Sequence, residues 1–259
     1  MQIRATGRAA LPEVLKSEDP SLPYVSSSNV PLSHQPDIVP HPLTIPEIHE
    51  YIQLFAKAAS NAVHKAGFDG VEIHAANGYL IDQFIQDVCN IREDEYGGSI
   101  ENRCRFCLEV VDAIVEAIGA ERTGIRLSPW SRFLGKSPMT NVNSLFSTNI
   151  NPLDMRMTDP VPTFTYLVTQ LRILYPNLAY VHVVEPRIAG GADEVLETPP
   201  TTTDSNEFIR EIWAPRPLIT AGKYDSVEKI LGAADRGDLV ALGRYFISNV
   251  SVIIFNMAL

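Results

Sequence analysis

The stretch Val71-Glu72-Ile73-His74-Ala75-Ala76-Asn77-Gly78-Tyr79-Leu80 decides the fold of this chain, because in it an apolar strand runs directly into three polar side chains. His74 and Asn77 are each able to donate a hydrogen bond to one substrate oxygen, and the phenol of Tyr79 is able to deliver a proton. Such a set polarises a carbonyl group and protonates a neighbouring carbon. The stretch therefore predicts a buried strand whose end carries catalytic groups.

Four further segments share the features of this strand: they are short, rich in β-branched residues and separated by helical patterns. The five predicted strands are 70–74, 123–128, 180–185, 217–221 and 239–242. Helix starts are marked by Thr44-Ile45-Pro46-Glu47, by Ser99 and by Asp225-Ser226-Val227-Glu228. This alternation predicts an α/β fold with a parallel sheet. The Pro- and Ser-rich segment 12–42 is predicted to be a long loop.

Glycine and basic residues follow the last two predicted strands. Gly222-Lys223 comes after the fourth strand and Gly243-Arg244 after the fifth. A glycine allows the backbone to approach a phosphate closely, and the cation beside it balances the phosphate charge. Parallel barrels often bind phosphate with the loops after their final strands. The two pairs therefore predict a phosphate site.

Arg126 lies inside an apolar strand, where an unpaired charge is costly, so it must meet an acceptor. The edge of a flavin ring and a carboxylate would both serve. Glu72 and Glu185 are candidate partners, and the sequence does not decide between them.

The composition narrows the class of protein. The chain has 259 residues, 45% hydrophobic residues and a net charge of −10, which disfavours nucleic acid and anionic membranes as partners. The three cysteines favour a reducing compartment over a disulfide framework. Cys104 and Cys107 are spaced as a helix-face pair, and we predict no metal site. No secretory signal is visible, and the apolar tail 250–259 is too short to span a bilayer, so we expect a cytoplasmic protein.

Four stretches together closely resemble the Old Yellow Enzyme family, in its fungal and plant-type form. They are residues 67–84, Asp94-Glu95-Tyr96-Gly97-Gly98-Ser99-Ile100-Glu101-Asn102-Arg103, Arg126-Leu127-Ser128-Pro129 and Leu242-Gly243-Arg244-Tyr245-Phe246-Ile247-Ser248-Asn249. The resemblance covers roughly residues 2–133 and 155–249. It implies a TIM (β/α)8 barrel that binds FMN and reduces activated alkenes with NADPH.

The resemblance also implies roles for individual residues. His74 and Asn77 would hold the carbonyl oxygen of an enone substrate, and Tyr79 would protonate its α-carbon. Gln2 would hydrogen-bond the pyrimidine ring of FMN, and Arg126 would lie beside the flavin N1 and C2 oxygen. The FMN phosphate would be held by Gly222, Lys223, Gly243 and Arg244.

Some positions depart from the family pattern. The chain begins where the third barrel strand should end, so we expect strands one and two and most of three to be missing from a single partial barrel domain, 1–259. Arg4 stands where many members place a tryptophan. Segment 134–153 is expected to be an atypical insertion and 250–259 an atypical tail. Unpaired barrel edges would weaken flavin binding.

Other functions remain open at this point. One alternative is a family member of this type that isomerises its substrate in alkaloid biosynthesis rather than reducing it. A flavin-free barrel lyase or isomerase would share the phosphate site but would not account for Gln2, Arg126 and the His-x-x-Asn-x-Tyr set together. An inactive fragment from a faulty gene model is the third possibility. Either a monomer or a homodimer is compatible with the sequence.

Overall fold

The computed structural model describes residues 1–33, 35–131, 155, 157–186, 204–222, 224–243 and 246–247. Within these residues the strands are β1 (Gln2–Ile3), β2 (Val25–Ser26), β3 (His41–Pro42), β4 (Val71–Ala75), β5 (Thr123–Leu127), β6 (Tyr180–Val184), β7 (Leu218–Ala221) and β8 (Leu239–Ala241). Six of them form the main parallel sheet, in the order β1-β4-β5-β6-β7-β8, and β2 and β3 form a separate pair. All five predicted strands are confirmed, and their sequential order is that of the wall of a β/α barrel.

Seven α-helices occur in the described part of the chain. They are α1 (Pro12–Glu18), α2 (Ile45–Ser60), α3 (Leu80–Ile85), α4 (Ile100–Ile118), α5 (Val161–Leu174), α6 (Glu207–Trp213) and α7 (Val227–Ala234). The three predicted helix starts are confirmed. Thr44 and Glu47 form a reciprocal capping box on α2, and the hydroxyls of Ser99 and Ser226 cap α4 and α7. Side-chain acceptors at these positions satisfy backbone N–H groups that the first turn leaves unpaired.

The prediction of a long loop over 12–42 is wrong in part. Pro12 begins α1, where its fixed φ and missing N–H suit the first turn. Val25 and Ser26 of β2 then pair in parallel with His41 and Pro42 of β3. Segments 134–153 and 250–259 lie outside the described residues.

Helices α2, α4 and α5 pack against the outer face of the sheet and form one hydrophobic core with it. Ile73, Ile125, Val181 and Val183 project into this core and are fully buried. Cys104 and Cys107 are buried on α4 within the same core, which confirms their helix-face location. No helix among the described residues is both long and apolar enough to cross a bilayer.

The opposite face of the same strands is polar. Residues alternate along a strand, so Glu72 and His74 face away from Ile73. On the neighbouring strand β5, Arg126 pairs in register with His74. On the next strand, β6, His182 pairs in register with Arg126. The sheet therefore has an apolar outer face under the helices and a polar inner face where a site is built.

Candidate active site

The loop that follows β4 is held in an unusual backbone conformation. Asn77 has φ 54° and Gly78 has φ 75°, the left-handed region that asparagine and glycine tolerate best. The Asn77 N–H donates to the Ser128 hydroxyl at 2.7 Å, and the Gly78 N–H donates to the Asp82 carboxylate at 2.8 Å. One end of the loop is thus fixed to the end of β5 and the other to α3.

The side chain of Gln83 holds this loop in place through hydrogen bonds. Its side-chain amide donates to the carbonyl oxygens of Gly78 at 2.6 Å and Thr6 at 3.2 Å, and its amide oxygen accepts from the Ser26 hydroxyl and the Arg8 N–H. Gln83 is completely buried. It lies within residues 67–84, one of the stretches that carry the resemblance to Old Yellow Enzyme, but its role depends on contacts with distant segments that no local pattern reveals.

His74 is a neutral hydrogen-bond donor in this structure. Burial lowers its pKa to about 4, and the positive charges of Arg126 and Arg4 contribute in the same direction. Its Nδ1 accepts from the Ala76 N–H at 3.3 Å, so the proton of the neutral ring sits on Nε2. His74 therefore presents an N–H from Nε2, as a group that binds a carbonyl oxygen must.

Tyr79 lies against two other side chains. Its ring meets the ring of His74 edge-on, with centroids 4.7 Å apart and an interplanar angle of 80°. Its hydroxyl oxygen accepts from Arg4 Nη1 at 3.1 Å. His74 and Tyr79, which the sequence predicted as site residues, are thus in direct contact, and Asn77 lies on the loop between them.

Glu72 is the carboxylate partner within the polar inner face. Its Oε2 accepts from His182 Nδ1 at 2.8 Å, and its Oε1 accepts from Gln2 Nε2 at 2.5 Å. Burial opposes ionisation of Glu72, but these two hydrogen bonds and the charges of His182 and Arg126 lower its pKa to about 2.

Of the two acids considered as partners for Arg126, the structure favours Glu72. Burial lowers the pKa of Arg126, and the negative charge of Glu72 opposes that change. Glu185 instead accepts from the Thr220 hydroxyl at 2.5 Å. Sequence reasoning missed His182, although its two-residue spacing from Tyr180 and Val184 placed it on the inner face.

Two buried nitrogens on the inner face have no hydrogen-bond partner within the described part of the chain: Arg126 Nε and His182 Nε2. Unsatisfied buried polar atoms are rare, and a bound water, ion or ligand is among the groups that supply the missing partner. Gly222 has φ 127°, and a Cβ on Gly243 would meet nothing within 4 Å. These features fit a flavin ring beside Arg126 and a phosphate near the last strand ends. Lys223 and Arg244 lie outside the described residues.

The Gln2 amide is only partly engaged by its neighbour. Its nitrogen donates one hydrogen to Glu72, which leaves the second N–H hydrogen and the amide oxygen available to a ligand such as a flavin ring. The role of Gln2 in flavin binding stays a prediction.

Known proteins share both the sequence and the fold. The chanoclavine-I aldehyde reductase of Penicillium roqueforti (strain FM164) is 47% identical over 253 residues, covering 96% of this chain and 61% of the relative. A probable inactive dehydrogenase of Claviceps purpurea (strain 20.1) is 41% identical over 255 residues, covering 96% and 60%. The crystal structure of Old Yellow Enzyme from Pichia sp. AKU4542 matches with a TM-score of 0.75 and 33% identity, covering 97% of this chain and 60% of that one.

The likeness to Old Yellow Enzyme confirms the predicted fold class, an incomplete TIM barrel. The chain spans about 60% of the length of these relatives. The sequence profile of the NADH:flavin oxidoreductase / NADH oxidase family matches residues 1–254. On this match, the chain belongs to the NADH:flavin oxidoreductase / NADH oxidase family, and Old Yellow Enzyme is among its structural neighbours.

Proposed function

We propose that the protein reduces the C=C bond of α,β-unsaturated carbonyl compounds, with FMN as its bound cofactor and NADPH as the hydride donor. The observation that carries the proposal is the arrangement at the end of β4. There, a neutral His74 with its proton on Nε2 contacts Tyr79, and the buried, unpaired Nε of Arg126 lies on the neighbouring strand.

His74 and Asn77 act on the carbonyl oxygen of the substrate. That oxygen gains negative charge as the alkene is reduced, so two fixed donors stabilise the transition state more than the ground state. His74 remains neutral above its pKa of about 4 and keeps a single donor aimed from Nε2. The hydrogen bond that the Asn77 backbone N–H donates to the Ser128 hydroxyl fixes the loop that carries the second donor.

The inner face would hold the cofactor. When bound, FMN supplies the hydride that the β-carbon of the substrate receives. Arg126 would place its positive charge at the flavin ring and satisfy its free Nε there, with Gln2 at the pyrimidine edge. Gly222, Lys223, Gly243 and Arg244 would hold the phosphate.

Tyr79 completes the reduction by giving its phenolic proton to the α-carbon. General acids of this kind contribute about 10²–10⁴-fold to a rate. One relative is named an aldehyde reductase, so an unsaturated aldehyde belongs among the first substrates to be tested.

The experiment is to purify the chain with FMN, titrate FMN binding by fluorescence, and follow NADPH oxidation with cyclohexenone and cinnamaldehyde while identifying the products. Tyr79→Phe should lower turnover by about 100-fold, and His74→Ala should raise KM and lower kcat. Tyr166→Phe, on the far side of the sheet in α5, serves as the matched control.

Each competing function gives a different result in this experiment. Movement of a double bond without net NADPH oxidation would indicate an isomerase. Conversion of substrate without bound FMN would indicate a flavin-free enzyme. A chain that binds no FMN and converts no substrate would be an inactive fragment. Turnover that both site variants leave intact would rule out the proposed site.

A further inference from the structure

Arg4, directly after β1, contacts the proposed proton donor in two ways. Its Nη1 donates to the Tyr79 hydroxyl at 3.1 Å, and its guanidinium carbon lies 4.7 Å from the centroid of the Tyr79 ring. The two residues are 75 positions apart in the chain. Their contact is therefore made by the fold, through the pairing of β1 with β4.

This contact fixes the direction of the Tyr79 hydrogen. A guanidinium has donors only, so the phenol oxygen must be the acceptor. Since one lone pair of that oxygen is engaged by Arg4, the hydroxyl hydrogen points away from Arg4. The ring itself is held by the cation on its face and by His74 at its edge.

We propose that Arg4 is a positioning residue, which directs the Tyr79 proton toward the substrate and balances the charge left on the phenol oxygen. This inference rests on the proposed function. In the step, the Tyr79 O–H bond breaks and a C–H bond forms at the substrate α-carbon. The β-carbon receives a hydride from NADPH by way of FMN, and the Tyr79 phenolate regains a proton from water.

Arg4 also acts on the second residue of the pair. Its positive charge is one of the causes that lower the pKa of His74, after burial and Arg126. A single side chain thus helps to keep the carbonyl-binding histidine neutral and holds the phenol.

The test is a double-mutant cycle with Arg4→Gln, Tyr79→Phe and the double variant, together with Arg4→Lys. Each protein is assayed with NADPH and cyclohexenone, and separately with NADPH and ferricyanide, which accepts electrons and needs no proton at carbon. The matched control is Arg122→Gln, an exposed arginine in the turn before β5. Urea unfolding of the same proteins measures whether the two side chains interact.

Arg4→Gln should lower cyclohexenone turnover by about 10-fold or more, because the phenol oxygen loses a hydrogen bond from a charged donor, which is stronger than a neutral one. It should leave ferricyanide reduction unchanged. The same substitution should cost nothing further in the Tyr79→Phe background, and Arg4→Lys should recover part of the loss. In urea, the double variant should lose less stability than the two single variants together.

Different results would overturn the role of Arg4 and the proposed function. Full cyclohexenone turnover in Arg4→Gln, an equal loss in the Tyr79→Phe background, or strictly additive losses of stability would overturn the role of Arg4 alone. Wild-type protein that binds FMN and reduces ferricyanide but never an enone would overturn the proposed function, and the role of Arg4 with it.

Discussion

Replacing Asp82 with asparagine should remove a pH-dependent penalty on folding. Asp82 is completely buried beneath the loop that follows β4, where it accepts hydrogen bonds from the Gly78 N–H and the Gln86 amide. Burial raises its pKa from 3.8 to about 7, and these hydrogen bonds and the charge of Arg8 only partly oppose the increase. Asparagine keeps an acceptor for Gly78 and never ionises.

The size and sign of the effect follow from linkage. The folded state holds the Asp82 proton more tightly than the unfolded chain does, so the folded protein binds more protons between pH 3.8 and about 7. Stability must therefore fall as the pH rises through this window, and the whole penalty is present above it. At about 1.4 kcal/mol per pH unit, the penalty amounts to roughly 4 kcal/mol.

Urea unfolding at intervals from pH 4 to pH 8 measures this effect. The free energy of unfolding of Asp82→Asn, taken relative to that of wild type, should rise by a few kcal/mol across the range. Asp69→Asn, which changes an exposed carboxylate just before β4, should run parallel to wild type. If Asp82→Asn also runs parallel to wild type, the buried carboxyl does not titrate in this window and the reasoning fails.

Three further changes test the fold around the site. Thr44→Ala should lower the free energy of unfolding by about 1 kcal/mol, since the capping box with Glu47 is lost, and Thr44→Ser should restore it; urea midpoints decide this. Gly7→Ala should cost roughly 2–4 kcal/mol in thermal unfolding, because φ is +58° and a Cβ would overlap the Gln83 amide; an unchanged Tm would contradict it. Glu72 has its pKa lowered to about 2 from 4.5, so its contribution is present above pH 4.5 and lost toward pH 2. Glu72→Gln should therefore be about 3 kcal/mol less stable than wild type at neutral pH and as stable as wild type at pH 2. Unfolding curves at both pH values measure this difference.

The sequence allowed the sheet to be predicted because its strands are short apolar runs with polar residues at their ends. Helix α3 was missed for a physical reason: Leu80–Ile85 are all buried, the polar Asp82 and Gln83 included, so the segment has no solvent-exposed face and no amphipathic period. The strands β2 and β3 have two residues each, which is too short for any pattern of alternation.

The residues of the proposed site share one sequence motif, but the contacts that support them do not. His74, Asn77 and Tyr79 are close in sequence, so one motif predicted them together. Their partners come from distant segments, as Ser128 does from 51 residues away and Arg4 from 75. The position of the proton on His74 also depends on a backbone contact that exists only in the folded loop.

The charge of the site differs in sign from that of the chain. The net charge is −10, yet among the described residues the polar inner face and its rim carry Arg126 and Arg4, with the Glu72 carboxylate, which also accepts from His182, acting on Arg126. Arg126 is partly buried, and its Nε has no hydrogen-bond partner among the described residues, so a ligand that supplies an acceptor would lower the cost of burying it. Under the proposed function, the edge of the flavin ring would supply this acceptor, and reduction of an enone builds negative charge on the carbonyl oxygen. These positive charges would then serve binding and catalysis rather than the stability of the fold.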